Sequence, residues 1–215
     1  MHLEVLVEDS SGKRLLEILI PKIIEQQDEQ HTWRIHAYRG VGRIPKGMQS
    51  GNARNRILLH QLPRILKGYG RTSGIDAVVV VIDSDNRNCV EFLAELNHVL
   101  KNCRPKPANT LFRLAIEEIE AWYLGDRKAI FAAYPKAKAN ILNTYEQDSV
   151  CGTWELLANA VYKGGSSELK ESGWMRAGDL KHEWAERIGS QMDVSVNDSP
   201  SFLKFRDGLK LLTTK

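Results

Sequence analysis

Seven consecutive residues of this 215-residue chain constrain its fold more than any others: Asp76-Ala77-Val78-Val79-Val80-Val81-Ile82. Side chains along a strand point alternately to opposite faces, so a half-exposed strand alternates apolar and polar residues. An unbroken β-branched run instead fits a central parallel strand covered on both faces. Leu3–Val7 is a second β-type run, ended by the turn-forming Glu8-Asp9-Ser10-Ser11-Gly12. Leu15, Leu16, Ile18, Leu19, Ile23 and Ile24 then recur at helical spacing and predict a helix from Gly12 to about Gln27. Trp33–Tyr38 suits another strand, and Asn52–Lys67 a helix that Pro63 should kink or split. Asn88–Asn102 reads as a helix, Thr110–Ile116 as a fourth strand, and Glu117–Leu124 as the helix after it. Trp154–Tyr162, Asp179–Ile188 and Ser201–Leu212 follow as helices, separated by Gly164-Gly165-Ser166-Ser167 and Asn197-Asp198-Ser199-Pro200. The expected fold is α/β and Rossmann-like: a mainly parallel sheet with helices on both faces. It should occupy residues 1–125, with a C-terminal helical extension over 126–215 packed on it as one globular unit.

The chain carries 30 basic and 27 acidic residues, a formal charge of +3 that conceals an uneven distribution. Arg34, Arg39, Arg43, Lys46, Arg54, Arg56, Arg64, Lys67 and Arg71 fall in one span that has no acid, leaving −6 for the remainder. Gly40, Gly42, Gly47 and Gly51 make the first part of that span a flexible basic loop. Ordinary surfaces intersperse both signs, so the span points to a polyanion, with nucleic acid the obvious partner. The longest apolar run, Ala77–Ile82, is far too short to cross a bilayer. Met1-His2-Leu3-Glu4 lacks the opening of a signal peptide. Cys89, Cys103 and Cys151 form no CxxC pair and suit free thiols, so a cytoplasmic protein is expected.

Acids collect where the strands should end. Glu8 follows the first strand, and Asp83 and Asp85 follow the Val78–Ile82 strand. Ligands of open parallel sheets bind beyond the carboxyl ends of the strands. Extended backbone would point both carboxylates of the Asp-x-Asp pair to one side. Clustered carboxylates repel, and a hard cation such as Mg²⁺ or Mn²⁺ relieves the repulsion. Glu117-Glu118-Ile119-Glu120 should begin near the same edge, and Glu120 is the candidate further ligand. The five tryptophans are scattered and read as packing residues. Ser10 or Ser11 would either contact phosphate or cap the first helix, and Ser199 and Ser201 would cap the last.

Val7-Glu8-Asp9-Ser10-Ser11-Gly12, Val81-Ile82-Asp83-Ser84-Asp85, Ala115–Leu124 and Asn197-Asp198-Ser199-Pro200-Ser201-Phe202 together resemble the TOPRIM-like family known as the domain of unknown function 4276. The resemblance implies a TOPRIM-like α/β fold, Mg²⁺ binding and phosphodiester chemistry. It also implies association with phage defence, beside an ATPase of the AAA or overcoming-lysogenization-defect kind. TOPRIM nucleases of that kind place a second acid four residues after the glutamate. Here that position is Gly12, so a second metal would either lack a ligand or take Asp9 or Glu120 in its place.

The expected activity is metal-dependent hydrolysis of a nucleic-acid phosphodiester. Asp83 and Asp85 would hold metal, and Glu8 would act as ligand or general base. Lys13, Arg39, Arg43 and Lys46 would contact phosphates. Two rivals remain: a haloacid-dehalogenase-like phosphatase, and a non-catalytic module binding nucleic acid or a partner ATPase over a vestigial site. Oligomeric state is open, a homo-oligomer included.

Overall fold

The computed structural model describes residues 1–24, 31–52 and 54–214. Strands β1 (His2–Val7), β2 (Thr32–Ala37), β3 (Ala77–Asp83) and β4 (Asn109–Ala115) form one sheet in the order β2-β1-β3-β4. Every pairing is parallel; Val5, for example, lies between Ile35 and Val79. The architecture is therefore Rossmann-like α/β. Parallel neighbours require crossovers, which α1 (Ser10–Ile24), α2 (Leu58–Tyr69) and α3 (Cys89–Asn102) supply.

Both faces of β3 are buried, as its unbroken apolar run requires. Leu3, Val5, Val7, Val79 and Val81 pack with α1 and with helices from the second half of the chain. Leu6, Val78, Val80 and Ile82 pack with α2 and α3. The second half comprises α4 (Glu120–Leu124), α5 (Arg127–Ala133), α6 (Ala139–Leu142), α7 (Thr153–Val161), α8 (Gly165–Glu171), α9 (Trp174–Gln191) and α10 (Pro200–Thr213). Its buried side chains join those of α1 and the sheet in one continuous apolar cluster. Trp122 lies at the centre, stacked on Phe205 at 5.0 Å and meeting Phe202 edge-on at 5.6 Å. Its indole N–H donates to Ser201 Oγ at 3.1 Å. Lys22 donates to the carbonyls of Gly189, Ser190 and Met192, joining α1 to the end of α9.

Local expectations fail where side chains compete for backbone groups. The helix expected from Asn52 begins at Leu58. Asn52 Oδ1 accepts from Arg54 N–H, and Gln61 Nε2 donates to the carbonyls of Asn52 and Asn55, consuming groups a helix would need. Pro63 does not split α2; it is buried inside the continuous helix, where it removes one hydrogen bond. Gly164-Gly165-Ser166-Ser167 is not a separator but the start of α8. Gly165, at φ +64°, makes the sharp entry, and Asn159 Oδ1 accepts from Ser166 N–H at 2.8 Å. The expected end of the first helix near Gln27 lies outside the described residues.

No described helix is long and apolar enough to cross a membrane. Cys103 is buried, Cys89 half-buried and Cys151 exposed, all as free thiols. Replacing fully buried Trp122 with Ala should destabilise the fold by about 3–5 kcal/mol, read as a lower urea midpoint. An unchanged midpoint would contradict the packing described.

Candidate active site

The strand order reverses direction between β1 and β3, and the crevice at such a switch point is where open parallel sheets bind ligands. Glu8 and Asp83 stand there side by side, one residue past β1 and at the last residue of β3. Glu120, the first residue of α4, is 1% exposed and joins them from the β4 side. Glu8 Oε2 and Glu120 Oε2 are buried without a hydrogen-bond partner. Burial, then the charges of Asp85 and Asp9, pushes Glu8 up to about 7. Burial, followed by Glu8 and Glu120, raises Asp83 well above the usual carboxylate range. Burial likewise raises Glu120, and it lifts Glu118 to about 7 with help from Glu120.

Asp85 does not follow the extended-strand expectation. It has φ +48°, is exposed, and its N–H donates to the Glu117 carbonyl at 2.9 Å in an isolated bridge. It flanks the site as a charge on Glu8, and its own pKa is raised chiefly because the part of its carboxylate facing the site loses water. Glu117 is also outside the expected helix, at φ +59°. Its carboxylate accepts the N–H groups of Cys151 (3.1 Å), Gly152 (2.8 Å) and Thr153 (2.9 Å) at the start of α7. That contact ties the sheet edge to the helical half.

The residue that sequence reasoning missed is Lys181, on α9. Its ammonium lies 3.3 Å from Glu120 Oε1 and 3.5 Å from Glu118 Oε1. Burial alone would lower its pKa; the charges of Glu120, Glu118, Asp83 and Asp9 outweigh burial and raise it. No motif or spacing marks this lysine, which reaches the acids only because α9 packs on α1 and α5.

Asp9, not Ser10 or Ser11, caps α1: its carboxylate accepts from Gly12 N–H at 2.6 Å and Ser11 Oγ at 2.8 Å. Position 12 has no room for an acid, because a Cβ there would stand 2.8 Å from Val7 Cγ2 and 3.0 Å from Asp9 Oδ1. Ser199 caps α10 as expected, accepting from Phe202 N–H, whereas Ser201 Oγ accepts from Trp122 and donates to Asp148. Lys13 is 41% exposed and pairs with Glu17 one helical turn on, at 3.6 Å. The basic loop adjoins the acids: Gly40 N–H donates to the Glu8 carbonyl at 3.1 Å, with Arg39 exposed beside it. Arg43 and Lys46 are exposed further along, and Arg87 Nη2 donates to the Gly42 carbonyl at 3.2 Å.

Among the described residues, no three carboxylate, imidazole or thiolate groups form a closed ligand array. The donor chemistry nonetheless fits a hard divalent cation. Glu8 and Glu120 present unpartnered buried oxygens beside Asp83, and these carboxylates with Glu118 outnumber the half-buried ammonium of Lys181.

A protein-family model described as a domain of unknown function (DUF4276) matches residues 7–210, nearly the whole chain and every acid named above. No curated protein and no solved structure matches.

Glu8 and Glu118 bind protons more tightly folded than unfolded, so they destabilise the fold progressively as pH rises from about 4.5 to about 7. Thermal unfolding in EDTA should therefore show a Tm several degrees lower at pH 8 than at pH 5 (roughly 2–4 °C per kcal/mol at this size), with Glu8→Gln flattening the profile. A Tm indifferent to pH and to Glu8→Gln would contradict this. Lys181→Met strands its acid partners and should cost about 3–5 kcal/mol at pH 8 and less at pH 5. Denaturant titration at the two pH values checks it.

Proposed function

The chain belongs to the DUF4276 family, and we propose that it is a Mg²⁺- or Mn²⁺-dependent phosphodiesterase that cleaves nucleic acid in the cytoplasm. One observation carries the reading. Buried carboxylates with unsatisfied oxygens sit at the switch point, directly beside an exposed loop of cations. Acids in need of a cation and a surface suited to phosphates are the two halves of a metal-assisted phosphodiester site.

Glu8, Asp83 and Glu120 would hold the cation, with Asp85 at the rim. When bound, the metal supplies charge neutralisation at the phosphate and acidification of water. Where Glu8 does not itself bind the cation, it would act as the general base for an attacking water, a role set by its reach into the site. Lys181, anchored by Glu118 and Glu120, supplies a fixed positive charge able to offset charge developing on phosphate oxygens. Arg39, Arg43 and Lys46 bind backbone phosphates without reading bases. The TOPRIM likeness of Glu8 and Ile82-Asp83-Ser84-Asp85 supports the same chemistry. A place in phage defence beside an ATPase partner follows from that likeness.

One observation favours the second reading, a nucleic-acid- or ATPase-binding module with a vestigial site. Position 12 is sterically closed to a second acid, and Lys181 already pairs with two of the carboxylates.

Wild-type protein should cut plasmid DNA, single-stranded DNA or tRNA with Mg²⁺ or Mn²⁺ and not with EDTA. Asp83→Asn should lose about 10²-fold or more in rate. Salt-dependent binding with no cutting under any metal would replace the enzyme with the module. Arg39→Ala and Arg43→Ala should each weaken binding uniformly across sequences and reduce the salt slope by about 1. Binding titrations at several salt concentrations measure that slope, and an unchanged slope would remove the loop from the interface.

A further inference from the structure

Next to the acids, a cleft of about 540 Å³ opens between the sheet edge and α7–α9, a volume in the range of small-molecule sites. Asp9, Glu118 and Lys181 line it and also belong to the acidic site. Trp154, in the first turn of α7, forms another wall, with Gly173 before α9 and Ala177 and Gly178 within it lining the cleft as well. A Cβ at Gly178 would meet nothing within 4 Å. Trp154 is not placed there by chance packing. The Glu117 carboxylate grips the start of α7 while the Glu117 carbonyl accepts from Asp85, so one residue sets both the aromatic wall and the acidic rim.

Charge decides what the cleft can take. Three carboxylates, Asp9, Glu118 and Glu155, face two ammoniums. Both ammoniums are already paired, Lys170 with Glu155 at 3.1 Å and Lys181 with Glu118 and Glu120. With three carboxylates to two ammoniums, both already engaged, the cleft is net negative and does not attract a phosphate. A flat neutral ring would find the Trp154 indole to stack on and carboxylates to accept from its amino edge. Lys170 and Lys181 both lie over the indole, 5.6 and 5.9 Å from its centroid; Lys170, 59% exposed, is the weakly held one and can yield its place to a base, while Lys181 stays fixed by Glu118 and Glu120.

We propose that this cleft is a nucleobase subsite, and that the strand cut at Glu8, Asp83 and Glu120 presents an unpaired nucleotide whose base stacks on Trp154. The inference rests on the phosphodiesterase reading and deepens it by naming the substrate class: single-stranded nucleic acid, or an unpaired segment of a duplex. A paired base inside a continuous duplex stays in its stack and cannot enter without being extruded.

Fluorescence anisotropy tests this with a labelled single-stranded oligonucleotide and the same strand in a blunt duplex, in Ca²⁺. The single strand should bind at least about tenfold tighter, the scale of one base–aromatic stack. Trp154→Ala and Gly178→Leu should each abolish that preference and leave duplex binding unchanged, whereas Arg39→Ala weakens both equally. Gly178→Leu fills the cleft at a position with room for a side chain, so the test stands even where Trp154→Ala impairs folding. Equal affinity for the two forms, or a single-strand preference that survives Gly178→Leu, overturns the subsite. If metal-dependent cleavage persists in either case, the phosphodiesterase reading survives alone. Binding of neither form, together with no cleavage, removes both.

Discussion

A strand buried on both faces cannot carry polar side chains along its length, and β3 is such a strand. Its polarity is deferred to the end, where Asp83, Ser84 and Asp85 leave the sheet. The same burial obliges the chain to cover two faces. The first is closed by α2 and α3, from the neighbouring crossovers. The second needs α1 together with α4, α9 and α10, drawn from a hundred residues further on. Packing on that second face delivers Lys181 to the acids and the Trp154 wall to their side. The site is thus a consequence of how the core is completed.

Within the site, desolvation dominates. It is the largest cause of the raised pKa at Glu8, Asp83, Glu118 and Glu120. Mutual repulsion among the acids adds to it, and Lys181 offsets only part of it. Buried carboxylates held this way favour whichever positive species reaches them, a proton or a hard cation. Such a cluster is costly to keep in a fold unless the charge is used, which is why perturbed groups in a cleft point to function. Glu117 contributes by geometry. Held at φ +59° by Ser84 Oγ on its N–H and Asp85 N–H on its carbonyl, it also caps α7. Strain of that kind survives where surrounding bonds over-determine it.

Much of this was legible in advance for a physical reason. Apolar runs and helical repeats are local, so β1, β3, α3 and the start of α1 were readable to within a few residues. Glu8, Asp83 and Glu120 were readable as one group because strand ends of a parallel sheet share an edge. Asp85 was misread because its left-handed backbone is imposed by Glu117, thirty-two residues away, and not by its own neighbours. The start of α2 was misread because Gln61 competes for carbonyls of the preceding loop.

The linear order of residues determined a mainly parallel sheet, its two buried faces, the acids at its carboxyl edge and the cationic loop after β2. All of these depend on periodicity or on position relative to a strand end, which are properties of short stretches. Only tertiary packing decided that Lys181 would compensate the acids and that Trp154 would wall a cleft beside them. Those pairings join residues far apart in the chain through helices whose own sequences read simply as amphipathic. Their outcome depends on how two apolar faces meet, and no local pattern encodes that.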